Sequence, residues 1–401
     1  MQCRKCCFAC EKWCFIGAKA FLPLVVNFLI IWACWVHAWL VCWEPQLFES
    51  DTTFWRVYGV AGVAIGIMCN VLYLKVCKVG PGSPTDIDNF SVPLVEYQNA
   101  CSAEGQHLTP PREMANSVCA KENGGLRFCT KCIGWKPDRS HHCSNYKRCV
   151  LKFDHYCPWF ATAIGFHNHK YFVLFLWYVT ILCFFCLGST GFVFYNHILE
   201  IGAMRGPDGN TDYVGAISVN VMILMVLALV FAIAVGTFAT FSLYLVFNNQ
   251  STVEFLESTQ YRSAVPTAAY RYTFAPTSKT VGNVFDVGWK RNFQLVMGDK
   301  WWMWLLPIQP SEAARGNGTQ FPLNKQVLQK IREAAAKEVQ IRDQNQAYIK
   351  QQRQQQQKRT QYDLPQHLQP PPQEHYEYDD EAQDSGDDIP LINMVNKNNT
   401  K

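Results

Sequence analysis

Four stretches of the chain stay free of charge for longer than a buried soluble helix usually does. Phe21 to Trp43 contains no Asp, Glu, Lys or Arg. As a helix it extends roughly 35 Å at about 1.5 Å per residue, enough to cross a bilayer core. Val57 to Leu74 is a second such run, near the short limit, and Tyr171 to about Leu199 is a third. Val214 to Phe247 is a fourth, longer than one crossing needs, which predicts tilt or extension beyond the bilayer. The pattern predicts four membrane-spanning helices. The first run ends at Val41-Cys42-Trp43-Glu44-Pro45 without a small-residue cleavage site, so it reads as a span and not as a removed leader.

Basic residues orient the spans. Arg4, Lys5, Lys12 and Lys19 precede the first. The long 78–170 loop carries Lys121, Arg127, Lys131, Lys136, Arg139, Lys147, Arg148 and Lys152. The two short loops hold only Arg56, beside Glu44, Glu49 and Asp51, and Arg205, beside Glu200, Asp208 and Asp212. Both termini and the 78–170 loop are therefore expected on the cytosolic face. The expected organisation is a Cys-rich N-terminus (1–20), spans one and two (21–77), a cytosolic loop (78–170, core 127–172), spans three and four (171–250), a C-terminal element (251–325) and a tail (326–401).

Composition changes this picture in two places. The 401 residues include 18 cysteines. Some lie in apolar runs (Cys34, Cys42, Cys69, Cys183, Cys186) and others in a Cys/His-rich loop, a distribution that suits reduced thiols and not a secreted disulfide scaffold. The net charge of +4 is small for the length and says little about partners, and no nucleic-acid partner is expected.

The loop holds two groups of chemical interest. Cys129 and Cys132 form a C-x-x-C knuckle, followed by His142 and Cys149. Two thiolates on a tight turn and a distant His/Cys pair fit one tetrahedral structural zinc site, which holds a loop too small to fold on its own core; a reduced turn without metal is the alternative. Further on, Asp154-His155-Tyr156-Cys157 sets an acid, an imidazole and a thiol together just before the third span. A thiol that acts as a nucleophile needs a base within reach. His155 fits that role, Asp154 can fix its tautomer and stabilise the imidazolium, and Pro158 favours an extended Cys157.

Together these residues resemble the DHHC-type protein S-acyltransferases, or palmitoyltransferases. The likeness runs from about 15 to 308. It is carried by C-x-x-C-x3-K-P-x-R-x-x-H-C and D-H-Y-C-P-W, by G-F-x-N-x-x-x-F, by Gly80-Pro81-Gly82-Ser83-Pro84, by Ser251-Thr252-Val253-Glu254, and by 283–298. GPGSP (80–84), WKPDR (135–139) and WWMWLLPI (301–308) look most like fungal vacuolar members. The resemblance implies a mainly α, polytopic membrane protein with a cytosolic zinc-binding Cys-rich domain between spans two and three. It implies transfer of a fatty acyl group from acyl-CoA (palmitoyl-CoA) through an S-acyl Cys157 to cysteines of membrane-associated proteins. It assigns Trp159 to the floor near the reacting carbonyl, Thr252 to a hydrogen bond with Asp154, and Asn292 to packing of the C-terminal element; these three are the expected contributors to the acyl-donor site. It implies a vacuolar membrane, with endoplasmic reticulum or Golgi as alternatives.

The family carries a second zinc site, here Cys143 and positions 146, 156 and 163. Tyr146, Tyr156 and Ala163 stand there, so one zinc is expected, with the two tyrosines packed where the other ion would sit. A catalytically inactive, zinc-stabilised membrane adaptor is the rival reading, and the intact Asp154, His155 and Cys157 argue against it.

Other features carry bland alternatives. Thr252 and Glu254 also fit a simple helix cap. Trp301, Trp302 and Trp304 read as interfacial anchors. His167 and His169 read as solvent-facing or phosphate-contacting. Cys3, Cys6, Cys7, Cys10 and Cys14 beside the first span fit S-acylation, a metal cluster or no special role. Lys325 to about Gln352 reads as a helix, and the Gln-, Pro- and acid-rich segment beyond it as disorder.

Overall fold

The computed structural model describes residues 21–43, 52–102, 108–120, 125–203, 217–261 and 276–362. The N-terminal cysteines and the acidic tail lie outside the described residues. The chain divides into two compact units. One comprises Met1–Asp88, Asp138–Glu257 and Phe285–Pro322; the other comprises Asn89–Pro137, Ser258–Val284 and Leu323–Lys401.

The first unit contains four helices long and apolar enough to cross a membrane, Phe21–Trp43, Thr52–Val79, His169–Leu199 and Val219–Phe247. The first has the expected bounds, and its last part, Val36–Trp43, winds as a π-helix. The second is longer than the charge-free Val57–Leu74. Helix propagation costs little once begun, and the charges at its ends find partners outside the apolar run. Arg56 lies 5.1 Å over the Trp43 ring, and Lys75 Nζ donates to the Pro307 carbonyl at 3.0 Å. The third span begins at His169, two residues earlier than expected, and its helix continues to Ala203. The fourth begins at Val219, after Ser218. Expected span residues 214–216 lie outside the described residues.

Large apolar side chains such as Phe28, Val60, Phe184 and Leu229 point outward. Helices that are apolar on every side need an apolar solvent. Inside the unit, spans one and two approach closely because span two carries glycines. A Cβ at Gly62 would lie 2.4 Å from His37 Nε2, and one at Gly66 would lie 2.1 Å from Cys34 Sγ.

Two short antiparallel hairpins complete the part of this unit that bears on the site. Strand β3 (His141–Cys143) pairs with β4 (Arg148–Val150), and β5 (His155–Cys157) pairs with β6 (Thr162–Ile164). The Gly80–Pro84 loop is tied to them: Leu151 N–H donates to the Gly82 carbonyl, and His167 N–H to the Pro81 carbonyl, both at 3.1 Å. Gly82 needs its missing side chain, since its φ is +82° and a Cβ there would meet His167 at 2.1 Å.

The second unit has its own small core of Val92, Ala100 and Leu108, packed with Tyr97, Phe128, Ile133 and Trp135. The hairpin β1 (Phe128–Cys129) and β2 (Gly134–Trp135) belongs to it. Its long helix, Lys325–Tyr362, runs ten residues past the expected Gln352. Residues 353–360 are mostly Gln, Lys and Arg, good helix formers that extend it.

Candidate functional site

The β5–β6 hairpin solves the problem posed by an acid, an imidazole and a thiol in adjacent positions. Side chains alternate along a strand. His155 and Cys157 therefore share one side, and Tyr156 faces the other, with register pairs His155↔Ile164, Tyr156↔Ala163 and Cys157↔Thr162. Cys157 is extended, with φ −106° and ψ 110°, as the following Pro158 favours. The chain then closes in a tight turn, Pro158–Phe160, ended by Ala161 at φ 50°.

His155 Nδ1 bonds Asp154 Oδ2 at 2.7 Å, and Cys157 lies on the same side of the strand as the imidazole. Asp154 is held from its far side by Thr252. The Thr252 N–H donates to Oδ1 at 2.6 Å, and its hydroxyl donates to Oδ2 at 3.1 Å. Thr252 opens the short helix Thr252–Leu256, whose N-cap Ser251 forms a capping box with Glu254. The capping reading of Glu254 is thus correct but incomplete, because Glu254 also binds Arg139.

Electrostatics follow from this geometry. Burial alone would raise the Asp154 carboxyl, but hydrogen bonds from His155 and Thr252, with the nearby imidazoles, hold it well below the usual carboxylate range. Burial alone would lower His155, yet its bond to Asp154 and its interaction with Cys157 raise it to about 9. Lys152 is buried close by, and desolvation together with Arg139 lowers it to about 7 against the pull of Glu254 and Asp154.

The other face of the hairpin is apolar. Cys143, Val150 and Ala163 form a cluster with Tyr146, Phe153 and Tyr156 packed against it. The Tyr146 N–H donates to Cys143 Sγ at 3.4 Å. Tyr146 and Tyr156 thus pack beside Cys143 and Ala163.

Cys129 and Cys132 belong to the second unit and His142 and Cys149 to the first. Their sulfur and imidazole donors are of the type that suits a metal ion. Within the first unit, His142 pairs with Cys149 across β3–β4, and Cys149 Sγ lies 3.9 Å from His142 Nδ1, about the spacing of two donors on one tetrahedral zinc. The cysteines are free thiols, as a metal requires.

A cavity of about 510 Å³ opens beside Cys157. His155, Trp159 and Tyr73 line it at the Cys157 end. Phe172 to Cys186 of the third span also line it, which at about 1.5 Å per residue is roughly 21 Å of helix. Of the three residues expected at the acyl-donor site, Trp159 lines this cavity and is half exposed. Thr252 does not line it but bonds Asp154, the contact the resemblance implies. Asn292 is fully buried and donates to the Phe247 carbonyl and Asp286 Oδ1, both at 2.7 Å, consistent with packing.

His169 departs from expectation. It is buried at the start of the third span, close to Asp154, and is not solvent-facing. His167 is half-buried, and its carbonyl accepts from Gln309 Nε2. Trp301, Trp302 and Trp304 remain exposed. Two residues escaped the sequence reading. Tyr73, inside an apolar run, donates its hydroxyl to the Trp159 carbonyl at 2.7 Å. Arg139 stood in a quoted string, but nothing in its neighbours marks it as buried.

Residues 122–259 match the family model described as DHHC palmitoyltransferase. The protein named Palmitoyltransferase PFA3 of Debaryomyces hansenii is 33% identical over 357 residues, 79% of this chain and 85% of the relative. Its namesake in Candida albicans is 34% identical over 360 residues, 84% of this chain and 92% of the relative. That of Saccharomyces cerevisiae is 35% identical over 239 residues, 59% of this chain and 66% of the relative.

Proposed function

The chain belongs to the DHHC palmitoyltransferase family and has protein S-palmitoyltransferase function, and from that premise we propose how its residues divide the work. Acyl-CoA, with a palmitoyl chain foremost, places its tail in the apolar cavity and its thioester at Cys157. The Cys157 proton rests on His155, whose imidazolium Asp154 stabilises, and the Cys157 sulfur attacks the carbonyl. The CoA sulfur–carbon bond breaks, and the departing CoA thiolate takes the proton from His155. A cysteine of a membrane-associated protein then gives its proton to His155 and attacks the Cys157 thioester. Cys157 leaves as the thiolate beside the His155 imidazolium. Trp159 covers the reacting carbonyl, Thr252 orients Asp154, and Asn292 anchors the C-terminal element.

Cys129, Cys132, His142 and Cys149 hold one zinc, which when bound braces a segment with little core of its own. The packed tyrosines at 146 and 156 and the alanine at 163 take the place of a second ion. Both termini and the catalytic hairpin face the cytosol, because basic residues concentrate there. The membrane is the vacuolar one, a placement supported by strings shared with fungal vacuolar members, with endoplasmic reticulum or Golgi as alternatives.

The observation that carries this reading is the buried Asp154–His155–Cys157 set beside an apolar cavity. Purified protein incubated with radiolabelled palmitoyl-CoA tests it. Label should appear in the wild type and vanish in Cys157→Ser. An unlabelled wild type would identify an inactive adaptor.

A further inference from the structure

Arg139 is a buried charged side chain of the first unit with several hydrogen-bond partners. Its guanidinium is fully buried, and it spans three elements. Nε donates to Glu254 Oε1 at 2.7 Å and Nη2 to Oε2 at 2.6 Å, a two-pronged pair. Nη1 donates to Asn249 Oδ1 at 2.8 Å, and Nη2 also reaches the Asn249 carbonyl at 2.9 Å. The rings of Phe285 and Phe321 lie 4.7 Å and 5.1 Å from the guanidinium carbon.

Its backbone is also engaged. Arg139 has φ 63°, a left-handed conformation that costs a non-glycine residue on the order of 1 kcal/mol or more. That conformation accompanies a carbonyl that accepts from the Phe153 N–H at 3.0 Å, one residue before Asp154. The contacts form a closed circuit. From the Arg139 carbonyl it passes through Phe153 to Asp154, whose carboxylate accepts from Thr252. From Thr252 it passes to Ser251, whose N–H donates to Glu254 Oε2 at 2.9 Å. The Arg139 side chain closes it at Glu254. A residue that only filled a core would not need both ends of itself in one ring with Asp154.

We propose that Arg139 is a positioning residue for the acyl transfer, fixing the Asp154 carboxylate against His155 by holding Phe153 through its backbone and the Thr252-bearing turn through Glu254. Lysine cannot replace it, because an ammonium lacks the planar fork and the stacking faces. Lys152 and His169 also face Asp154 and lack this double hold. The proposal rests on Cys157, His155 and Asp154 as the reacting set, and label on Cys157 of the wild type checks that separately.

The test is Arg139→Lys in the full chain, reconstituted in phosphatidylcholine nanodiscs with palmitoyl-CoA. The expected result is a fall of about 10- to 100-fold in kcat for Cys157 acylation. KM for palmitoyl-CoA should stay within about twofold, since no cavity residue is touched. The upper limb of the pH profile should move down from about 9 toward 6.5, as Asp154 loses its fixed place beside His155. Glu254→Gln should do the same, and the double variant should be no worse than the poorer single one. Loss of thermal stability with kcat per folded molecule and the pH limb unmoved would overturn the proposal, leaving a structural ion pair. Should neither variant fold, Phe321→Leu removes one stacking face without touching a hydrogen bond. It should shift the limb in the same direction, and an unmoved limb would count against the proposal.

Discussion

Asp154→Asn is the sharpest perturbation of the catalytic hairpin. Asparagine keeps the size of the side chain and can still accept the Thr252 N–H. It places an amide where Oδ2 now accepts from both His155 Nδ1 and the Thr252 hydroxyl. The imidazole is then driven to the tautomer with its proton on Nε2, facing Cys157, and cannot take the thiol proton. The charge term can be worked separately. His155 rises from 6.5 to about 9, against the lowering effect of its burial. At 1.36 kcal/mol per pH unit the whole rise is worth about 3 kcal/mol, or roughly 300-fold, of which Asp154 supplies the larger part and Cys157 the rest. Without the carboxylate, at pH 7.5 only about a tenth of the imidazole stays protonated to serve the departing CoA. Tautomer and charge together predict a loss of about 10²- to 10⁴-fold in Cys157 acylation. KM for palmitoyl-CoA should hardly change, because the cavity is untouched. Single-turnover labelling between pH 6 and 10 measures both. An Asp154→Asn enzyme with the wild-type rate and the wild-type upper limb near 9 would refute the reasoning.

Four further outcomes follow from the same geometry. Metal analysis of the purified chain should give about one zinc per molecule, and Cys129→Ala should lose it with a large drop in melting temperature; near two zinc would contradict the tyrosine packing. The triple change Tyr146→Cys, Tyr156→His and Ala163→Cys should raise the count toward two, whereas Tyr156→His alone should not, because one added ligand beside Cys143 is too few. Ala228→Trp, at a buried position lining the cavity, should shift acyl-CoA preference toward shorter chains in competition assays; an unchanged preference would place the tail elsewhere. The His155 pairing raises its folded-state value, so its stabilisation is complete below the unfolded value of about 6.5 and lost as pH rises through about 9. Accordingly, the melting-temperature gap between wild type and Asp154→Asn should narrow from pH 6.5 to 9.5.

Much of this site was legible in the sequence because its logic is local. The four spans follow from absence of charge. The metal group follows from C-x-x-C spacing, and the tyrosine cluster from residues that cannot bind metal. What lay hidden depends on contacts distant in sequence. Arg139 and Glu254 are 115 residues apart, and no periodicity marks either as buried. His169 looked like a loop histidine because it directly precedes an apolar run, yet it already belongs to the helix. Tyr73 passed as one more apolar residue, since a hydroxyl inside a span gives no signal until the Trp159 carbonyl beside it is seen. Ends of spans were misjudged where Lys75 and Arg56 found partners that a charge count does not include.

The most direct test of the central claim is peptide mapping by mass spectrometry of the chain quenched seconds after mixing with palmitoyl-CoA. The account predicts a hydroxylamine-sensitive palmitoyl group on the peptide carrying Cys157, lost again when an acceptor cysteine peptide is added. Acyl groups found only on other cysteines, with Cys157 free at every time point, would contradict it.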